Sequence, residues 1–127
     1  MITKLDKNEI FVFGSNLAGR HGAGAAKQAM KWGAKYGQGY GLQGQTFAIP
    51  TKDENIQTLP LIVIQKYVDK FIDFADKHQE LKFLVTPIGT GLARIPIENM
   101  AKLFVTALLY DNIVLPEEFL TILNKND

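Results

Sequence analysis

Cysteine is absent from this 127-residue chain, serine occurs once, at Ser15, and histidine only twice, at His21 and His78. Without cysteine there are no disulfides, thiolate metal sites or cysteine nucleophile. Two histidines far apart in sequence give no reason to expect a metal centre. The lone serine lies in Gly14-Ser15-Asn16-Leu17-Ala18, which is not G-x-S-x-G, so a nucleophile elbow is unsupported. An excess of charge of one sign is also missing, with 14 Lys and Arg against 13 Asp and Glu and a net charge of +1. That balance predicts neither a nucleic-acid nor a membrane partner. No segment approaches the roughly 20 apolar residues of a membrane-spanning helix. Met1 to Lys7 is followed by no apolar stretch, so no signal peptide and a soluble, cytoplasmic protein are expected, with no resident cofactor.

What is present is ordinary globular composition, 46% hydrophobic and 21% charged, over a length that suits one domain spanning residues 1–127. Glu9 to Phe13 reads as a buried strand and Gly24 to Lys35 as a helix rich in small residues. Gly37 to Gly44 reads as a loop, and Thr46 to Ile49 as a strand stopped by Pro50. Leu61 to Lys77 has apolar residues at helical spacing. Lys82 to Thr86 is a further apolar strand, followed by a largely buried helix over Ile97 to Tyr110. A final strand at Asn112 to Leu115 and a helix at Pro116 to Leu123 complete the order. The alternation βαβαβαβα predicts an α/β fold, with a mainly parallel or mixed sheet between two helix layers in a three-layer sandwich. In such folds ligands sit beyond the carboxyl ends of the strands.

Two glycine-rich loops fall at that edge. One runs through Gly14-Ser15-Asn16 and on to His21-Gly22-Ala23-Gly24-Ala25-Ala26. The other is Pro87-Ile88-Gly89-Thr90-Gly91-Leu92-Ala93-Arg94-Ile95-Pro96. A strand, a turn of small residues and a helix start present free backbone N–H groups to an anion, and two such loops suit two phosphates. Glycines that merely permit tight turns are the plainer alternative. Gly14 to Gly19 fits the start of a P-loop, but Arg20 and His21 replace the Lys and Ser/Thr that should follow. Gly39-Tyr40-Gly41-Leu42-Gln43-Gly44 is literally G-x-G-x-x-G, yet it precedes a strand, so a flexible surface loop is expected. Asn16 can meet a sugar hydroxyl or serve as a turn residue. His21 can act as acid or base or can simply be solvated. Lys52 and Asp53 follow a strand at the same edge, and His78 suits the negative end of a helix dipole.

At these loops the chain resembles a macro domain, the fold that binds ADP-ribose. Ile10-Phe11-Val12-Phe13-Gly14-Ser15-Asn16 is similar to the family's strand ending in asparagine. His21 to Ala26 is similar to its glycine-rich helix start, and Val85 to Pro96 to its second loop. The nearest likeness is to a short, divergent branch with Phe-Gly-Ser-Asn and Ile-Pro-Thr-Lys elements. The aromatic residue usual before the second-loop proline is replaced here by Ala93-Arg94-Ile95. The resemblance implies a single macro-type domain binding ADP-ribose or a related NAD-derived diphosphate nucleotide. Gly14, Ser15 and Asn16 would meet the distal ribose, and Gly22, Ala23, Gly24 and Ala25 would wrap it and its phosphate. Ile88, Gly89, Thr90, Gly91, Leu92 and Ala93 would cradle the diphosphate. Hydrolysis of an ADP-ribosyl bond, with Asn16, His21 and Asp53 as candidate catalytic residues and with His21, Lys52 and Asp53 as the candidates for its general base, and a ligand-free scaffold are the competing expectations.

Overall fold

Residues 2–125 are described by the computed structural model; Met1, Asn126 and Asp127 lie outside it. The first strand, β1, runs from Glu9 to Asn16, three residues beyond the stretch expected from its apolar run. It continues because Gly14, Ser15 and Asn16 pair in parallel with Ile49, Pro50 and Lys52 of β3 (Thr46–Lys52), although the register shifts between Ser15 and Asn16. Pro50 therefore does not stop its strand. The antiparallel partner of β3 on the other side, β2 (Gly41–Gln43), reaches only Ala48, so Pro50 lies past the end of that ladder.

That β2 strand corrects the reading of Gly37 to Gly44 as a flexible loop. Gly39 and Gln43 are buried, and the Gln43 carboxamide donates to the Gln38 carbonyl at 3.0 Å while accepting from the Lys35 N–H at 2.7 Å. On the opposite side of β1, β4 (Lys82–Val85) pairs in parallel, and β5 (Ile113–Val114) pairs in parallel with β4. The result is a mixed, mostly parallel sheet of order β2-β3-β1-β4-β5 with β1 at its centre.

Helices cover both faces, as strand alternation requires. Ile10 and Val12 of β1 join a large core with Phe47, Ile49, Phe83 and Val85. Beneath lie α2 (Leu61–Asp76), α3 (Ile97–Leu103) and α4 (Glu117–Asn124). On α2 the buried residues Ile64, Val68, Phe71, Ile72 and Ala75 form the expected stripe. Each large side chain in it contributes about 1.5–3 kcal/mol by leaving water. Phe11, Phe13 and Ala48 point to the other face and pack on Ala26 and Ala29 of α1 (Gly24–Ala29). The small residues of α1 bring it close to the sheet. It is shorter than expected, giving way to a 3-10 turn at Met30–Trp32 that ends in left-handed Gly33.

The expected buried helix over Ile97 to Tyr110 is also corrected. It breaks at Phe104, and Val105–Leu109 form a 3-10 turn. Phe104 and Ala107 are buried three residues apart, the 3-10 period, so Val105, Leu108 and Leu109 turn outward. His78 behaves as its position suggests. Its Nδ1 donates to the Phe74 carbonyl at 2.7 Å in the last turn of α2, with the ring stacked on Phe74. No helix among the described residues is long and apolar enough to cross a membrane.

Tyr40 packs edge-on against Phe47 and at a tilt of 43° against Tyr67. Burial, with Asp73 and Tyr67 adding to it, raises the Tyr40 phenol above its ordinary value of 10.0. The unfolded chain then loses this proton before the folded one does. The associated stability is complete below pH ~10 and declines as the pH rises through the folded value. An ultraviolet titration of phenolate absorbance should therefore show one late-ionising tyrosine that Tyr40→Phe removes. Four tyrosines titrating together would contradict this packing.

Candidate functional site

β1 and β3 end side by side, and the Leu17 N–H crosses to the Lys52 carbonyl at 2.9 Å. Past Asn16 the chain folds into a tight turn. The Arg20 N–H donates to Asn16 Oδ1 at 2.9 Å, and Asn16 Nδ2 donates to the Arg20 carbonyl at 3.1 Å. The Gly19 N–H closes the same turn on the Asn16 carbonyl at 2.9 Å. The carboxamide of Asn16 thus shapes the turn that delivers residues 20 to 25, while its residue still lines the space beyond.

That space is a cleft of about 540 Å³ at the carboxyl ends of β1, β3 and β4. Its walls are Gly14, Ser15 and Asn16, then Gly22 to Ala26, then Ile88, Gly89, Gly91, Leu92 and Ala93. The structure therefore brings the two glycine-rich loops to opposite sides of one opening. Gly14 sits where they meet: a Cβ there would stand 3.2 Å from Ile88 Cγ2 and 3.6 Å from the Gly89 nitrogen. Thr90 is the one second-loop residue expected to bind that does not line the cleft. Its hydroxyl donates instead to the Pro87 carbonyl at 2.7 Å.

The backbone facing the cleft is rich in unused donors. The N–H groups of Gly22, Ala23, Gly24 and Ala25 find no acceptor among the described residues, and neither do those of Gly91, Leu92 and Ala93. Around them, among the described residues, Arg20 and Lys52 are the only charged residues that line the cleft. Lys52 had been placed at this edge by its strand. Arg20 carried no signal beyond occupying the position where a P-loop would have lysine. A rim of N–H dipoles and two cations, without a carboxylate, favours an anionic occupant.

His21 and Asp53, expected as catalytic candidates, are not among the residues that line the cleft. His21 is neither solvated nor at the opening: it is 3% exposed, held edge-on to Phe13 with ring centroids 5.2 Å apart. Its Nε2 lies 3.1 Å from the Gln38 carbonyl, which can only accept, so Nε2 carries the hydrogen. His21 therefore pins the 37–39 segment beneath the first loop. Asp53 shapes a loop of its own. Its Oδ1 accepts from the Asn55 and Gln57 N–H groups at 2.8 and 3.0 Å, and the Lys52–Thr58 bridge closes the base. That loop carries Ile56 into the cleft wall, a residue with no sequence signal.

No protein-family model, curated protein or solved structure matches the chain.

Proposed function

We propose that the protein binds ADP-ribose, or a related NAD-derived nucleotide, by its diphosphate, in the cleft between the two glycine-rich loops of a macro-type domain. The observation that carries this reading is the pairing of two runs of unbonded backbone N–H groups, at 22 to 25 and at 91 to 93, across one opening. Hydrogen bonds from such groups to a charged acceptor contribute roughly 1.5–3 kcal/mol each. Several of them, less the costs of ordering and desolvation, are compatible with a dissociation constant of about 1 µM. Arg20 and Lys52 add attraction for the same charge.

Binding is favoured over ADP-ribosyl hydrolysis because, of the three candidate general bases, His21 and Asp53 are absent from the cleft lining and Lys52, the one that lines it, is a cation suited to holding a phosphate. An open cleft of this size also argues against a ligand-free scaffold. Thermal unfolding tests the reading directly. ADP-ribose at 100 times its dissociation constant should stabilise the fold by about 2.7 kcal/mol and raise the melting temperature by roughly 3–6 °C. The absence of a shift with ADP-ribose, NAD, ADP and inorganic pyrophosphate alike would end the proposal.

A further inference from the structure

The side chains around the cleft have few polar groups left with which to read a ligand. Ser15 donates its hydroxyl to the Gly39 carbonyl, and Thr86 donates to the Val12 carbonyl at 2.8 Å. Thr51 turns to the Ser15 carbonyl at 3.4 Å, and Asn16 holds both ends of its carboxamide on Arg20. Each uncharged polar side chain in the lining thereby already donates to the protein's own backbone, which fixes its orientation, whereas the cations Arg20 and Lys52 make no side-chain hydrogen bond among the described residues.

One part of the wall is apolar and unusually exposed. Leu92 is 67% exposed and Ile56 is 38% exposed, although both face the cleft. Their segments are joined where the Thr58 hydroxyl donates to the Ala93 carbonyl at 3.1 Å. Ile56 itself has φ +63°, a conformation that a β-branched residue adopts only when its surroundings impose it. Asp53 imposes it here, through the loop described above. Arg94, with φ +56°, is the other non-glycine residue in this region among those described, and it follows Ala93 directly.

We infer that the cleft is a base-tolerant nucleoside-diphosphate site, in which the N–H loops hold the phosphates while Ile56 and Leu92 support the base by apolar contact alone. This rests on the phosphate reading proposed above. A site built to hydrogen-bond one base rejects another because its own polar groups are then left buried and unpaired, whereas an apolar wall has no such penalty to impose. Discrimination among bases should therefore be small, and the presence of a base should matter more than its identity.

The test is calorimetric titration of ADP, GDP, UDP and inorganic pyrophosphate into the wild-type protein and into Leu92→Ala and Ile56→Gly variants. The three nucleotides should bind within about tenfold of one another, and pyrophosphate about tenfold or more weaker. Each variant should weaken nucleotide binding roughly fivefold and pyrophosphate binding by a clearly smaller factor. Leu92 is too exposed for its truncation to affect folding. Glycine suits the left-handed backbone at 56, so the melting temperature of the free Ile56→Gly variant should stay constant or rise. A preference for one base of about a hundredfold, or equal affinity for pyrophosphate and ADP, would overturn base tolerance and leave phosphate binding intact. Variants that bind nucleotides as wild type does would overturn the roles of Ile56 and Leu92. Failure of all four ligands to bind would overturn the underlying phosphate reading instead.

Discussion

Gly39→Ala is expected to lower the melting temperature by roughly 10 °C. The added Cβ would stand 2.2 Å from the Asn16 carbonyl oxygen and 3.0 Å from the Leu17 Cα. Both are backbone atoms at the end of β1, and neither can rotate aside. The segment cannot retreat easily either, because the Ser15 hydroxyl holds the Gly39 carbonyl and His21 and Gln43 both reach the Gln38 carbonyl. Overpacking against an immobile backbone costs about 3 kcal/mol or more. Gly91→Ala is the matching control, since nothing lies within 4 Å of its added Cβ. Equal melting temperatures for the two variants would show that the 37–39 segment does not press on the end of β1.

Gly22→Glu and Gly91→Glu should reduce affinity for a diphosphate nucleotide at least ~100-fold without altering the melting temperature of the free protein. Both glycines line the cleft, and an added Cβ at either meets no atom within 4 Å, so the fold accommodates the change. The new carboxylate would stand where the ligand's phosphates are expected. At ~4 Å and an effective dielectric constant of ~20, the repulsion is about 4 kcal/mol. Gly91→Lys separates charge from bulk, because it adds a similar volume with the opposite sign. If the lysine and glutamate variants weaken binding equally, obstruction rather than anion recognition explains the loss. If isothermal titration finds wild-type affinity in both glutamate variants, the ligand lies elsewhere.

The sheet and the convergence of the two glycine-rich loops on one cleft were legible because strand-length apolar runs alternating with helical patterns depend on local sequence. Ile10 to Phe13 and Phe83 to Val85 could hardly be anything but central strands, and the glycine loops follow them directly. What escaped notice depends on contacts between distant segments. The β2 strand exists because β3 offers it an edge, and Gly41 has no strand propensity of its own. Buried His21 depends on Phe13 and Gln38, which its neighbours in sequence do not reveal. The place of Ile56 in the cleft wall follows from a turn organised by Asp53 three residues earlier. The exposed face of Val105 to Leu109 was misread because an apolar run carries no mark of whether its period is 3.6 or 3.

The sheet's central strand, β1, is also the first to be synthesised, while both its partners come later in the chain. At typical rates of about 5–20 residues per second, a ribosome takes on the order of 3–14 seconds to pass from Phe13 to Lys82. During that interval Phe11, Val12 and Phe13 have no complete sheet to enter. A nascent chain arrested before β4 should therefore engage holdase chaperones through this segment and release them only once Val85 has emerged.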